Sequence, residues 1–113
     1  MILRALLLTT LLARGSVREM TMPAPSLGGG ARSVRVYLPP SYDTAEAGTR
    51  RYPTVYLLHG WPGGPGNWFG SGRAAVTADS MIASHRMPEL ILVCPDGAGP
   101  GFLGSVHYRN STE

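Results

Sequence analysis

The chain has 113 residues, of which 43% are hydrophobic and 15% charged, a composition that suits one small globular domain and excludes an intrinsically disordered chain. Its net charge of +3 comes from ten basic against seven acidic residues. The basic residues are all arginines, scattered from Arg4 to Arg109 with no cluster beyond Arg50-Arg51, so no nucleic-acid surface is expected. Cys94 is the single cysteine, which excludes an intrachain disulfide and leaves no metal-binding spacing.

Residues 1–15 form a hydrophobic leader, apolar up to Leu12 apart from Arg4, Thr9 and Thr10. An early Arg before a Leu-rich run resembles a secretory signal or the remnant of an anchor. The run is shorter than the roughly 20 apolar residues that cross a bilayer. A secreted or membrane-associated location, through residues 1–12, is expected on that ground; a hydrophobic helix packed on a cytoplasmic domain is the alternative.

The folded domain is expected over 16–113. Val17 to Met22 reads as a strand, and Pro23 to Gly30 as a turn. Ser33 to Leu38 alternates, with Val34, Val36 and Leu38 on one face and Arg35 and Tyr37 on the other, which predicts a half-exposed strand paired with the first. Pro39-Pro40 ends it, because neither residue can donate to a ladder. Ser41 to Tyr52 is a polar surface loop. Val55 to Leu58 then reads as a strand buried on both faces, and it delivers a loop of Gly, Pro and Trp from His59 to Trp68. Arg73 to His85 has helical spacing, with Ala75, Ala78, Ile82 and His85 on one face and Ser71 as the expected N-cap. Pro88 stops it. Glu89 to Cys94 is a second buried strand, in which Cys94 reads as a small hydrophobe rather than a reactive thiol.

The order β-β-β-α-β implies an α/β fold whose first strands are antiparallel and whose last two are parallel, with glycine-rich loops leaving both at one edge of the sheet. Open α/β sheets place ligands at that edge. A dinucleotide site is not expected, since Gly60-Trp61-Pro62-Gly63-Gly64 lacks the Gly-x-Gly-x-x-Gly spacing.

Three stretches in this order resemble the opening of an α/β-hydrolase: Val36-Tyr37-Leu38-Pro39-Pro40-Ser41-Tyr42, Tyr52 to Gly60, and Leu92-Val93-Cys94-Pro95-Asp96-Gly97. They are similar to the esterase group that includes S-formylglutathione hydrolases, feruloyl esterases and mycolyltransferase-type antigens. The resemblance implies a serine esterase, hydrolase or acyltransferase, acting on a small-molecule ester without cofactor or metal. It implies the sheet order first, second, fourth, third. It also implies that the loop after His59-Gly60 supplies half of an oxyanion hole through the Trp61 backbone N–H. His59, Gly60, Trp61 and Trp68 are the expected substrate-side residues, with His59 shaping the loop rather than acting as a base. Trp61, Trp68 and Phe69 read equally well as an aromatic platform or as packing residues.

The group's nucleophile lies in Gly-x-Ser-x-Gly, and no such pentapeptide occurs here; its acid and histidine follow the nucleophile in chain order. The chain is therefore expected to be an amino-terminal part that ends before the nucleophile and is inactive alone. The alternative is a non-catalytic membrane- or wall-associated binding module that uses the Trp-rich loop. Asp96 reads as a turn residue, His85 as a helix-end residue, His107 as exposed, and Asn110-Ser111-Thr112 as a chance match to a glycosylation acceptor.

Overall fold

A computed structural model describes residues 12–25, 30–60 and 63–97. The leader up to residue 11, Trp61, His107 and the Asn110 triplet lie outside the described residues. The elements are β1 (Ser16–Ala24), β2 (Gly30–Leu38), β3 (Thr54–Tyr56), α1 (Gly66–Phe69), α2 (Ala74–Ala83) and β4 (Ile91–Pro95). They build a four-stranded sheet in the order β1-β2-β4-β3, the order expected from the resemblance. β1 and β2 pair antiparallel from Ser16↔Leu38 to Ala24↔Gly30, β2 and β4 antiparallel, and β3 and β4 parallel. Among the described residues, no helix is long and apolar enough to cross a membrane.

The pleat of β2 sorts the core into two clusters. Val34, Val36 and Leu38 face one side with Ile91 and Val93; Tyr37 faces the other with Leu90, Leu92 and Ala78. Phe69, Ala74, Ala75, Ile82 and Met87 close over this second cluster. Alternate β2 residues therefore face opposite sides, as the sequence implied, but the expected half-exposure of Tyr37 is overturned: Tyr37 is 0% exposed. β2 is an inner strand with α2 on its Tyr37 side, so alternation marks two different buried environments rather than core and solvent.

The opposite correction applies to β3. Its residues are all exposed, with Val55 at 42% and Tyr56 at 67%, where burial on both faces was expected. Among the described residues it stands at the sheet edge, flanked by β4 on one side and by no described strand on the other. Its ladder continues one residue further, through the Leu57 N–H to the Val93 carbonyl at 2.8 Å.

α2 begins without a side-chain cap, and the expected role of Ser71 is overturned. The N-cap position belongs to Arg73, in a left-handed conformation (φ 51°), and Ser71 Oγ donates instead to the Asn67 carbonyl at 3.3 Å. At the other end, His85 takes φ 55° just past the Ser84 cap. The His85 N–H reaches the Ile82 carbonyl at 3.1 Å and the Arg86 N–H the Met81 carbonyl at 2.9 Å, the two bonds of a Schellman ending.

Two polar clusters fasten the scaffold away from the glycine loops. Asp79 on α2 accepts, through Oδ1, both the Tyr37 hydroxyl and the Gly15 N–H at 2.8 Å. A side chain at residue 15 would strike the Leu38 carbonyl and the Tyr37 ring, so this approach requires glycine. Glu89, before β4, accepts the Ser41 N–H and Ser41 Oγ–H, both at 2.8 Å, and pairs with Arg50 at 2.6 Å. With its proton committed to Glu89, Ser41 Oγ accepts from the Tyr52 hydroxyl at 2.7 Å. This clasp joins the ends of β2, β3 and β4 at the edge opposite the glycine loops.

Candidate functional site

Because β3 and β4 run parallel, the segments that leave them, Leu57 to Gly60 and Asp96-Gly97, emerge at the same edge. His59 joins them. Its side chain is only 5% exposed. The Gly97 N–H donates to His59 Nε2 at 3.0 Å, and His59 Nδ1 lies 2.9 Å from the Gly60 carbonyl. Both bonds are satisfied by the tautomer with its proton on Nδ1, which accepts at Nε2 and donates at Nδ1. Asp96 Oδ1 lies 3.4 Å from Nε2. Asp96 is also tied to β2, through its N–H to the Ser33 carbonyl at 3.0 Å. The reading of Asp96 as a turn residue thus omitted a position against the site's histidine.

The remainder of the site comes from α1, a single turn where an irregular loop was expected. The Trp68 indole N–H donates to the Leu58 carbonyl at 3.0 Å, so Trp68 is tied to the segment that leaves β3. The rings of Trp68 and Phe69 have separate roles: Phe69 packs on the core, whereas Trp68 is 38% exposed. A side chain at residue 63 would strike the Asn67 amide and the Gly60 carbonyl; the glycine is what lets these segments touch.

Leu58, His59, Gly60, Asn67, Trp68, Ser71 and Gly72 line an open cleft of about 380 Å³ at this edge. Of the expected substrate-side residues, His59, Gly60 and Trp68 are brought together here, and Trp61 lies outside the described residues. Asn67 was missed by sequence reasoning; its only signal was its distance of one helical turn from a glycine in a Pro-Gly-rich loop. A larger cleft of about 650 Å³ lies between Leu12 to Arg14 and the outer side of α2. It gathers no strand-end loops, so the smaller cleft is the better candidate. Among the described residues no group of His, Cys, Asp and Glu could hold a metal ion.

Cys94 is fully buried, and burial pushes its thiol up, with Asp96 adding to the rise and Arg35 opposing it. It is a packing residue, as its sequence context implied.

The model of the family described as "Putative esterase" matches residues 25–102. A curated relative, the endo-1,4-beta-xylanase/feruloyl esterase of Xylanibacter ruminicola, is 32% identical over 94 residues, covering 81% of this chain and 13% of that protein. Among solved structures, a ferulic acid esterase superposes with a TM-score of 0.71 at 26% identity, over 88% of this chain and 34% of that one. A feruloyl esterase module from Clostridium thermocellum, complexed with sinapinate, superposes with a TM-score of 0.62 at 25% identity, over 83% of this chain and 29% of that one. The chain thus spans about a third or less of each of these relatives.

Proposed function

The chain belongs to this esterase family, and from that premise we propose that it is the amino-terminal part of a serine-type carboxylic ester hydrolase. On this reading it supplies the oxyanion loop and leaves the Ser, Asp and His triad to chain beyond it. The observation that carries the reading is the loop at the carboxyl edge of β3, whose His59 is bonded to Gly97 beyond β4. In acyl transfer, negative charge develops on the carbonyl oxygen of the ester, and fixed backbone N–H groups stabilise it. Such donors must come from a loop outside the ladder. Pro62 and Pro65 have none, which leaves Gly60, Trp61, Gly63 and Gly64; the family resemblance points to the residue directly after His59-Gly60, so the Trp61 N–H is the proposed donor.

The cleft beside the loop would then receive the acyl group. Its lining by Leu58 and Trp68, together with the feruloyl esterases among the relatives, supports an aromatic acyl ester as substrate. Trp68 would flank the acyl group, held in place by its bond to Leu58. The apolar residues 1–12 add export or membrane association to the reading. The partner proposed for the site is a small-molecule ester, with no cofactor.

The test is the purified chain with p-nitrophenyl acetate and a fluorophosphonate probe. Neither turnover nor a labelled serine is expected. A stoichiometric adduct at one defined serine would overturn the assignment of the nucleophile to chain outside these residues.

A further inference from the structure

α2 carries a second face that the core does not use. Ala74, Ala75, Ala78 and Ile82 pack into the sheet cluster. Arg73, Val76, Ser80 and Ala83 follow one another at spacings of three and four, so they share the outer side of the helix. This stripe is one wall of the larger cleft, and Leu12 to Arg14 is the other. The groove between them runs along a helix of 10 residues, which is roughly 15 Å. Its volume of about 650 Å³ is that of a small-molecule site. It shares no lining residue with the cleft at the glycine loops.

Two kinds of chemistry meet in this groove. Leu12, Val76 and Ala83 make its walls apolar, and Leu12 and Val76 are 66% and 54% exposed, so the apolar surface stands open. Arg14 and Arg73 line it too, and among the described residues neither guanidinium has an ion-pair or hydrogen-bond partner. The one acid in the lining, Asp79, has its Oδ1 engaged by the Tyr37 hydroxyl and the Gly15 N–H. Two arginines against one aspartate leave an excess of positive charge.

A guanidinium binds a carboxylate through two parallel N–H bonds, and apolar walls favour a body that leaves water. A bare anion would leave the walls unfilled, and an uncharged apolar molecule would leave the arginines unpaired. We propose that this groove is a binding site for a monomeric anionic amphiphile, a carboxylate with an aliphatic body. Arg14 and Arg73 hold the carboxylate, and Leu12, Val76 and Ala83 flank the chain. The proposal does not rest on the ester-hydrolase reading, because no residue of the groove enters it.

The probe is octanoate, titrated into the 113-residue chain and followed by NMR of the backbone amides and the arginine side-chain N–H groups. Two matched probes divide its chemistry: 1-octanol has the body without the charge, and inorganic phosphate the charge without the body. Octanoate should saturate, with shifts confined to residues 12–14 and the outer stripe of α2. It should bind about tenfold more tightly than either matched probe, the factor that one hydrogen bond to a charged group supplies.

Two variants test the residues. The double substitution Arg14→Ala with Arg73→Gly should weaken octanoate about tenfold and leave 1-octanol unchanged. Glycine suits position 73, where φ is 51°. Val76→Asp, in the first turn of α2 where an acid is well tolerated, should weaken octanoate and 1-octanol alike. Octanoate shifts that do not saturate, or that fall on His59 and Trp68 instead, overturn the proposal on the parent chain alone, whatever the fate of the variants. So does phosphate or 1-octanol binding as tightly as octanoate, and so does an unchanged octanoate affinity in the arginine variant. None of these readouts involves hydrolysis, so their failure leaves the ester-hydrolase reading intact, and a serine adduct on the chain would leave the groove intact.

Discussion

Among the described residues, Tyr37 and Cys94 have the largest fully buried side chains, and both owe their chemistry to that burial. Burial, reinforced by the hydrogen bond and charge of Asp79 and the charge of Glu89, raises the Tyr37 hydroxyl well above its ordinary value of about 10. The protonated form is the one the fold favours. The stability this contributes is present below pH of about 10 and is lost as pH rises through the higher folded value. Denaturant midpoints measured from pH 9 upward should therefore fall more steeply in the parent chain than in Tyr37→Phe. Near neutral pH, Tyr37→Phe should cost about 1 kcal/mol for the lost bond to Asp79. Cys94 should not react with a thiol reagent until the chain is unfolded, and then in a single equivalent. The burial of Cys94 was legible because its apolar neighbours leave no doubt about environment. That of Tyr37 was not: alternation shows which residues share a face, and cannot show that a helix will cover the other face.

At the scale of elements, the strands were legible from apolar runs ended by Pro and Gly, and the parallel β3–β4 pair from the helix between them. Exposure was not, since it depends on sheet position. Val55 and Leu57 look like residues of a central strand, yet β3 stands at an edge with its outer backbone groups unpaired by any described strand. Such an edge pairs readily with other chains. Tyr56→Lys, at a side chain already 67% exposed, should lower aggregation measured by light scattering while leaving the unfolding midpoint unchanged. Reversible, monomeric unfolding of the parent chain would instead favour a self-contained binding module. The clasp at the strand ends opposite the glycine loops was also hidden, because Ser41, Arg50, Tyr52 and Glu89 come from separate segments. The Glu89 carboxylate is 12% exposed and Arg50 44%, so solvent weakens their pairing, but the two bonds from Ser41 remain. Glu89→Ala should destabilise the chain by about 2 kcal/mol in chemical denaturation, most of it from the unpaired Ser41 groups.

At the scale of the molecule, the sheet places the segments after β3 and β4 side by side, and the cleft is built from the first of them together with α1. That His59 and Gly60 would lie at the carboxyl end of an apolar strand was legible in the run that precedes them, although a strand ending in His-Gly is by itself a loose pattern. Asn67 and Asp96 were not, because their relevance depends on a glycine's missing side chain and on a parallel register. The account's central claim is that this chain brings the oxyanion donor to an ester hydrolase whose triad lies on other chain. It is tested most directly by mixing the chain with a separately produced carboxyl-terminal portion of a ferulic acid esterase that carries the triad, and measuring hydrolysis of a p-nitrophenyl ester. The account predicts that hydrolysis is restored, that it survives Trp61→Ala, which keeps the backbone N–H, and that it falls roughly 10²–10³-fold in Trp61→Pro, which removes it. Restored hydrolysis that is the same with Trp61→Pro as with the parent chain would contradict it.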